Sequence, residues 1–413
     1  MKIGILTYHY AYNFGANLQV LSTVYALKNR GYNPIVIDWR PEDIVDMYQN
    51  NTQKTQAFVH EKFVKDHLPL SSLCKTSEDI ARLIETEDIQ CIIVGSDAVL
   101  NISPYFSRFG YSLGRRRFYY ASNQKSVNLI PNPFWGSFID SLNKKIPCVM
   151  MSVSSQNTPF HLMSIKQIKT GLKCINNFSY ISVRDNWTKK MIRWISMSNI
   201  DPEVTPDPVF SFNNNVPSIL TDKIILEKFN LPDKYILVSF KAINAPPTKW
   251  VNEFHHLAKD RGYNCVAFPY PQELNEFMLP YKIDLPLNPL EWYTIIKNAD
   301  GYIGHNMHPI VTCIHNSVPF YSFDNYGHIY YRYFVNKKSS KIYDLLKFTG
   351  FLENSSNVQG QWPLSVSPRA VIEHIDKFDI KQCNKVASIM TEKYYEMIDK
   401  IEIALKISDM QCI

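Results

Sequence analysis

The sequence predicts an α/β protein of two doubly wound, Rossmann-like domains with a cleft between them. Three observations predict it. Short apolar runs of strand character alternate with amphipathic helical stretches along most of the chain. A polar, turn-rich segment, SFNNNVPS, interrupts that rhythm near the middle, and the rhythm then restarts. The chain closes on one long amphipathic stretch, residues 380–406, lined by Val386, Ile389, Met390, Tyr394, Met397, Ile401 and Ala404. At 413 residues the chain is too long for one ordinary domain. The expected division is 1–213, 214–379, and a C-terminal helix, 380–413, crossing back to the first domain.

Residues 2–8 (KIGILTY) read as a buried strand, followed by an Asn- and Gly-rich turn. Residues 18–30 read as a helix with Leu18, Leu21, Val24, Tyr25 and Leu27 on one face and Gly31 as its stop. With the strand 34–39 this makes a right-handed βαβ unit. Its first turn falls at the carboxyl edge of the sheet, where open α/β folds bind ligands. The G-x-G-x-x-G spacing is absent there, so a nicotinamide cofactor is not expected.

Residues 41–75 are polar and poorly periodic, an excursion with one helix. A helix over 77–85 leads into a buried strand, 89–97, ending in Gly95-Ser96-Asp97. Residues 102–135 read as loop and contain GRRRFYYASN; a helix follows over 134–143. IPCVMMSVSSQN is a strand with Ser152, Ser154 and Gln156 at its end. After the helix 165–175, SYISVRDNW puts Arg184 at a strand end and Asp185 at the cap of the next helix. TPDPVF closes the first domain.

The second domain repeats the pattern: strand 234–241, helix 250–261, the strand YNCVAFP, and a helix begun by Asn288 and Pro289. DGYIGHNMHPIVTCIHNSVPFYSFD then reads as strand, tight turn, short helix and strand. His308 is expected at the helix cap with Pro309 in first position, where its missing N–H costs nothing. The free N–H groups of Ile310 and Val311 would then form an anion site with His308, Asn306 and His305 at its mouth. SSKIYDLLKFTG is a capped helix stopped by Gly350.

The chain carries a net charge of +6, which suits small anions or an anionic membrane surface and is too scattered for nucleic acid. Eight cysteines form no C-x-x-C pair, so buried reduced thiols and no metal centre are expected. No signal peptide or membrane-spanning run is read, which places the protein in the cytoplasm, with peripheral contact to the inner membrane face compatible with its charge.

Two tandem α/β domains, a cleft and a returning terminal helix make the GT-B plan. The residues also carry a family resemblance. KIGILTYHYAYNFGANLQVLSTVYALKNRGYNPIVIDW, VGSDAVLN, PNPFWGSFID, YISVRDN, PDPVF, NADGYIGHNMHPIVTCIHNSVPF and SSKIYDLLKFTGF occur in the order found in the polysaccharide pyruvyl transferase family, which this chain resembles over nearly its whole length. The usual Arg-x-His is here Asn306-Met307-His308, and Ser317 stands where glycine is usual. Asparagine removes a charge and a bidentate fork for phosphate or carboxylate.

The resemblance implies transfer of the pyruvyl group of phosphoenolpyruvate, a co-substrate rather than a bound cofactor, onto two hydroxyls of a sugar, with release of phosphate. A 4,6-ketal on galactose in a capsular or exopolysaccharide precursor, free or lipid-linked, is the acceptor product it implies. His308 is then the general acid or phosphate-side catalyst, Arg184 the donor's anion clamp, and Asp97 the base for an acceptor hydroxyl. Asn306, Ile310 and Lys241 complete the donor site, and Asn13 and Asn17 face the acceptor. A sugar-nucleotide glycosyltransferase of the same plan, or a non-catalytic assembly protein, are the alternatives; oligomeric state is left open.

Overall fold

A computed structural model describes residues 1–112, 117–217, 222–241, 245–272, 277–330, 334–359 and 366–410. Seven parallel strands form the first sheet: β1 (Lys2–Leu6), β2 (Asn33–Trp39), β3 (Leu70–Cys74), β4 (Cys91–Val94), β7 (Cys148–Val153), β8 (Tyr180–Val183) and β9 (Glu203–Val204), in the order β3-β2-β1-β4-β7-β8-β9. Between β4 and β7 an antiparallel hairpin, β5 (Phe109–Ser112) and β6 (Arg117–Tyr120), stands apart from the sheet.

A second parallel sheet orders β12 (Tyr281–Lys282), β11 (Asn264–Ala267), β10 (Tyr235–Ser239), β13 (Gly301–Gly304), β14 (Phe320–Asp324) and β17 (Ser355–Asn357). A short antiparallel pair, β15 (His328–Tyr330) and β16 (Phe334–Asn336), follows β14. Both sheets are Rossmann-like. In each, the order reverses beside the first strand, between β1 and β4 and between β10 and β13. Loops leave a doubly wound sheet in opposite directions at such a point and open a crevice. The two crevices face one another, and the interdomain cleft lies there.

Burial explains the strand sequences. β4 (CIIV) and β7 (CVMMSV) are buried at every position, because helices cover both faces of a parallel sheet. The helix Phe14–Asn29 is buried around nearly its whole circumference. It packs on the first sheet and also meets the Pro289–Lys297 helix and the turn Pro208–Ser211. A helix wedged between two bodies must be apolar all round, which blurs its periodicity. Its first turn reaches the cleft.

The terminal helix, Ile380–Met410, returns to the first sheet: Arg30 pairs with Asp399 and Glu402, Lys400 with Glu203, and Thr391 Oγ1 donates to the Phe210 carbonyl at 2.7 Å. Two expectations need correction. Residues 41–75 hold two helices, Glu42–Asn51 and Lys54–His67, and the edge strand β3. Only Ile44 of the first of these helices is buried, so an apolar repeat had almost nothing to register. Residues 134–143 form two 3-10 turns, Pro133–Trp135 and Ile139–Ser141, because Gly136 at φ 76° ends the first.

Candidate active site

The cleft has a volume of about 320 Å³ and takes its walls from both domains. Two helix N-termini open onto it, and their caps differ. At the Phe14–Asn29 helix, Asn13 Oδ1 accepts from the N–H groups of Gly15 (3.0 Å) and Ala16 (3.3 Å). The Met307–Asn316 helix starts at Asn306, whose side chain makes no capping bond. An N-terminus without a cap keeps donors and a partial positive charge for an anion.

The helix thus begins two residues earlier than the sequence predicts, and His308 lies in its first turn rather than at its cap. This corrects the assignment of Ile310. Its N–H falls inside the helical ladder, its side chain is fully buried, and it does not line the cleft. The exposed donors are the N–H groups of Met307 and His308. Pro309 fits the first turn because it has no N–H to leave unpaired.

His308 lines the cleft with its side chain 10% exposed. Its Nε2 is buried without a hydrogen-bond partner and lies 4.0 Å from Asp207 Oδ2. Burial pushes its pKa down to about 4, against the pull of Asp97 and Asp207, so the imidazole is neutral near neutral pH. The ring rests on the opposite helix: a Cβ on Gly15 would lie 2.0 Å from His308 Cγ. Gly15 is what lets the two helix ends touch. Its neighbour His305 is fully buried against Phe240, away from the cavity, and burial lowers its pKa to about 3.

Arg184 is placed otherwise than as a donor clamp. Its side chain is 1% exposed and is held by Asp207 at 2.8 Å and Asp97 at 3.3 Å. It does not line the cleft. It sits one layer below and fixes the two carboxylates, while Gln19 Nε2 donates to Asp207 Oδ2 at 2.5 Å. Asp97 does line the cavity, with a left-handed φ of 81°. Backbone strain of that kind gathers at functional sites. Burial alone would raise its pKa, but the charges of Arg184 and Lys341, and of His308 once it is protonated, hold it below the ordinary carboxylate value. Asp185 caps the Asn186–Ile195 helix as expected, accepting from Thr188 N at 2.7 Å.

Asn13, Asn306 and Lys241 line the cleft, and Lys241 Nζ lies 5.5 Å from the Tyr270 ring centre. Asn17 does not. It is fully buried, donates from Nδ2 to the His9 carbonyl at 2.9 Å and is bonded through Oδ1 to His60 Nδ1, so it faces the interior rather than an acceptor. Of the loop arginines, Arg115 and Arg116 lie outside the described residues, and Arg117 is exposed on β6. Among the described residues no group of three His, Cys, Asp or Glu could hold a metal ion, and no helix is long and apolar enough to cross a membrane.

The residue that sequence reasoning missed is Lys341. It is 6% exposed, lines the cleft, and sits 5.0 Å from the Tyr326 ring centre. Burial and the nearby Arg184 lower its pKa to about 8, against the opposing pull of Asp97, Asp185 and Asp207. A signal was available. Lys341 opens the helix Lys341–Thr349, where a cation opposes the helix dipole. Such a lysine has a reason other than the helix. Asp207, second in the PDPVF segment, was likewise passed over as part of a short, weak motif.

The fold has known relatives. The UDP-GlcNAc 2-epimerase from Methanocaldococcus jannaschii has a TM-score of 0.53 at 10% identity, covering 95% of this chain and 100% of that one. The enzyme of the same name from Neisseria meningitidis gives 0.53 at 10%, covering 97% and 99%. The glycosyltransferase SnogD from Streptomyces nogalater gives 0.50 at 12%, covering 98% and 99%. At such identities the likeness is one of architecture, and it is the GT-B arrangement. No curated protein matches the chain in sequence. The family model for polysaccharide pyruvyl transferases matches residues 13–327, from the Asn13 cap past the end of β14, and so takes in both walls of the cleft and His308, Asp97 and Lys241, though not Lys341. A match over so much of the chain settles its kinship: the chain belongs to the polysaccharide pyruvyl transferase family.

Proposed function

We propose that the protein transfers the pyruvyl group of phosphoenolpyruvate to two hydroxyls of a sugar in a polysaccharide precursor, forming a cyclic ketal and releasing phosphate. One observation carries the choice of donor. The uncapped Met307–Asn316 helix end, the imidazole of His308 and the buried cation of Lys341 border one cavity. Phosphoenolpyruvate bears two anionic groups a few bonds apart, and this wall offers donors and charge for both.

In this reading the second domain holds the donor. The phosphate rests on the N–H groups of Met307 and His308, and Lys341 and Lys241 take the charge that Asn306 cannot. The reaction moves one proton onto the methylene carbon and leaves an oxocarbenium-like centre. A sugar hydroxyl adds there and loses its proton, the carbon–oxygen bond to phosphate breaks with its electron pair, and a second hydroxyl closes the ring. Of the two hydroxyl protons, one ends in the new methyl group and one on phosphate.

His308 is neutral in the empty site, and a bound dianion raises its pKa, turning it into the proton source for the departing phosphate. Asp97 faces the first-domain side and accepts from the attacking hydroxyl. Arg184 keeps Asp97 ionised and in place, so it is a positioning residue. Asn13 borders the acceptor side. A 4,6-ketal on galactose, on a free or lipid-linked precursor, is the acceptor product this reading favours.

The test is direct. Purified protein is incubated with phosphoenolpyruvate and galactosyl acceptors, and phosphate release and the mass gain of a pyruvate ketal are followed. Both are expected, and both should vanish in His308→Ala. Consumption of a nucleotide sugar without phosphoenolpyruvate turnover would assign a glycosyltransferase. Donor binding without product would assign a non-catalytic assembly protein.

A further inference from the structure

The hairpin of β5 and β6 is built against the usual rules for an exposed element. A two-stranded ribbon in water stabilises itself by burying one face. β6 buries none of its four residues. By register Phe109 lies opposite Tyr120, and Phe118 shares their face two residues on. Phe106 is 54% exposed, Phe109 52% and Phe118 83%. The approach to the hairpin adds to the same surface, with Tyr105 packed on both Phe106 and Phe109.

Charge accompanies the aromatics. From residue 98 to residue 139 the sequence contains no Asp or Glu but has Arg108, Arg115, Arg116, Arg117 and Lys125. That is five positive charges in one excursion of a chain whose net charge is +6. Arg108 lies 4.3 Å from the Tyr120 ring centre and donates from Nε to the Ala121 carbonyl at 2.8 Å. The excursion then runs into the active-site cleft, whose wall includes Lys125, Val127 and Asn128.

We propose that this hairpin is a membrane-docking element that seats the aromatic face among the headgroups of an anionic bilayer and holds the cleft mouth at the lipid surface. Three partners compete for such a patch, and charge chooses among them. A second copy of the chain would bring the same acid-free, arginine-rich segment against this one. A glycan stacks on rings but also calls for carboxylates that accept from its hydroxyls, and residues 98–139 contain none. An anionic lipid surface satisfies both rings and cations: aromatic side chains settle at the headgroup level, and each cation near the surface raises partition roughly fivefold. The role rests on the hairpin's own chemistry and stands apart from the identity of the donor. A cleft held at that surface fits an acceptor with a lipid anchor.

The experiment is co-sedimentation of the full chain with vesicles of phosphatidylcholine alone and of phosphatidylcholine with phosphatidylserine, compared with Phe106→Ser/Phe118→Ser and Arg117→Gln variants whose thermal melts match the parent. Binding is expected to the anionic vesicles only, to fall steeply with added salt, to drop about fivefold in Arg117→Gln, and to be lost in the double variant. Turnover of a soluble sugar should persist in that double variant, which separates this proposal from the assignment of the reaction. Equal binding to neutral vesicles, no binding to anionic ones, or unchanged binding in the double variant would overturn it. So would a dimer of the parent that the double variant abolishes, which would give the surface to a second copy.

Discussion

Gly15→Ala is the sharpest perturbation the cleft allows, because it adds one carbon at the point where the two domains touch. That carbon would lie 2.0 Å from Cγ of His308, 2.1 Å from Nδ1 and 2.5 Å from Cβ, where ordinary contact begins at 3.4 Å. A change of χ1 can swing Cγ and Nδ1 away and relieve the first two clashes. It cannot move Cβ, which is fixed to the backbone, so the start of the Met307–Asn316 helix must retreat by about 0.9 Å, the difference between 3.4 and 2.5 Å. The retreat carries with it the N–H groups of Met307 and His308 and the imidazole itself. A displacement near 1 Å costs about a hundredfold in a positioned reaction, or about 2.7 kcal/mol of transition-state stabilisation. Folding should suffer little, since alanine in a helix is favoured over glycine by about 1 kcal/mol, which offsets part of an overpacking cost of about 1–3 kcal/mol. The assay is phosphate release from phosphoenolpyruvate at saturating acceptor, with a thermal melt beside it. A fall in kcat/KM of two orders of magnitude with a nearly native melt is expected. A kcat/KM within about threefold of the parent, a change below 1 kcal/mol, would refute the placement of His308 at the reacting groups.

Other expectations follow from the charges. If Lys341 must be protonated to hold the donor, kcat/KM should fall as pH rises through about 8; Lys341→Met should remove that limb along with most activity, and Lys341→Arg should extend activity to higher pH. Arg184→Met leaves Asp97 and Asp207 buried without their cation and should cost about 3–5 kcal/mol in a denaturant melt, whereas His308→Ala should leave the melt nearly unchanged. Burial holds His60 and His305 near 3 and His308 and His315 near 4, below the ordinary 6.5. The unfolded chain therefore binds protons that the folded chain refuses, and stability present above pH 6.5 is lost as pH falls toward 4, by about 1.4 kcal/mol per pH unit for each histidine. Melting temperatures across that range give the check: a flat profile would mean these histidines are not buried neutral.

Much of this molecule was legible in its sequence, for identifiable reasons. Both parallel sheets announce themselves because strands covered on two faces become continuous apolar runs, as in CIIV and CVMMSV. Caps were legible where the capping residue also suits the backbone, as at Asp185, Asn288 and Ser340. Ser317 stands where glycine is usual, and it ends the helix in the left-handed region at φ 56°. The failures at the site share a cause: they concern which way a side chain faces. Asn17 and Asn13 lie four residues apart on the same turn and helix, yet one is buried against His60 and the other lines the cleft. Ile310 and His308 differ by two positions and point to the core and to the cavity. A shift of two residues at a helix start, as at Met307, decides such cases, and helix starts are the least certain feature in a sequence.

Arg184 and Lys341 show how the same uncertainty affects charge. A cation at a strand end in an α/β fold can meet a ligand or neutralise its own carboxylates, and sequence does not say where those carboxylates fold. Asp97 and Asp207 come from distant parts of the chain and close on Arg184 from two sides. Once they do, its charge is spent inside the protein. Asn306 is neutral, and the cations that line the cleft are Lys125, Lys241 and Lys341. The exchange has a chemical consequence. An arginine stays charged at every accessible pH, while a lysine lowered to about 8 titrates near the working range. On the proposed reading, moving the charge from a guanidinium at position 306 to the ammonium of Lys341 makes donor binding sensitive to alkali, which an arginine at that position would not.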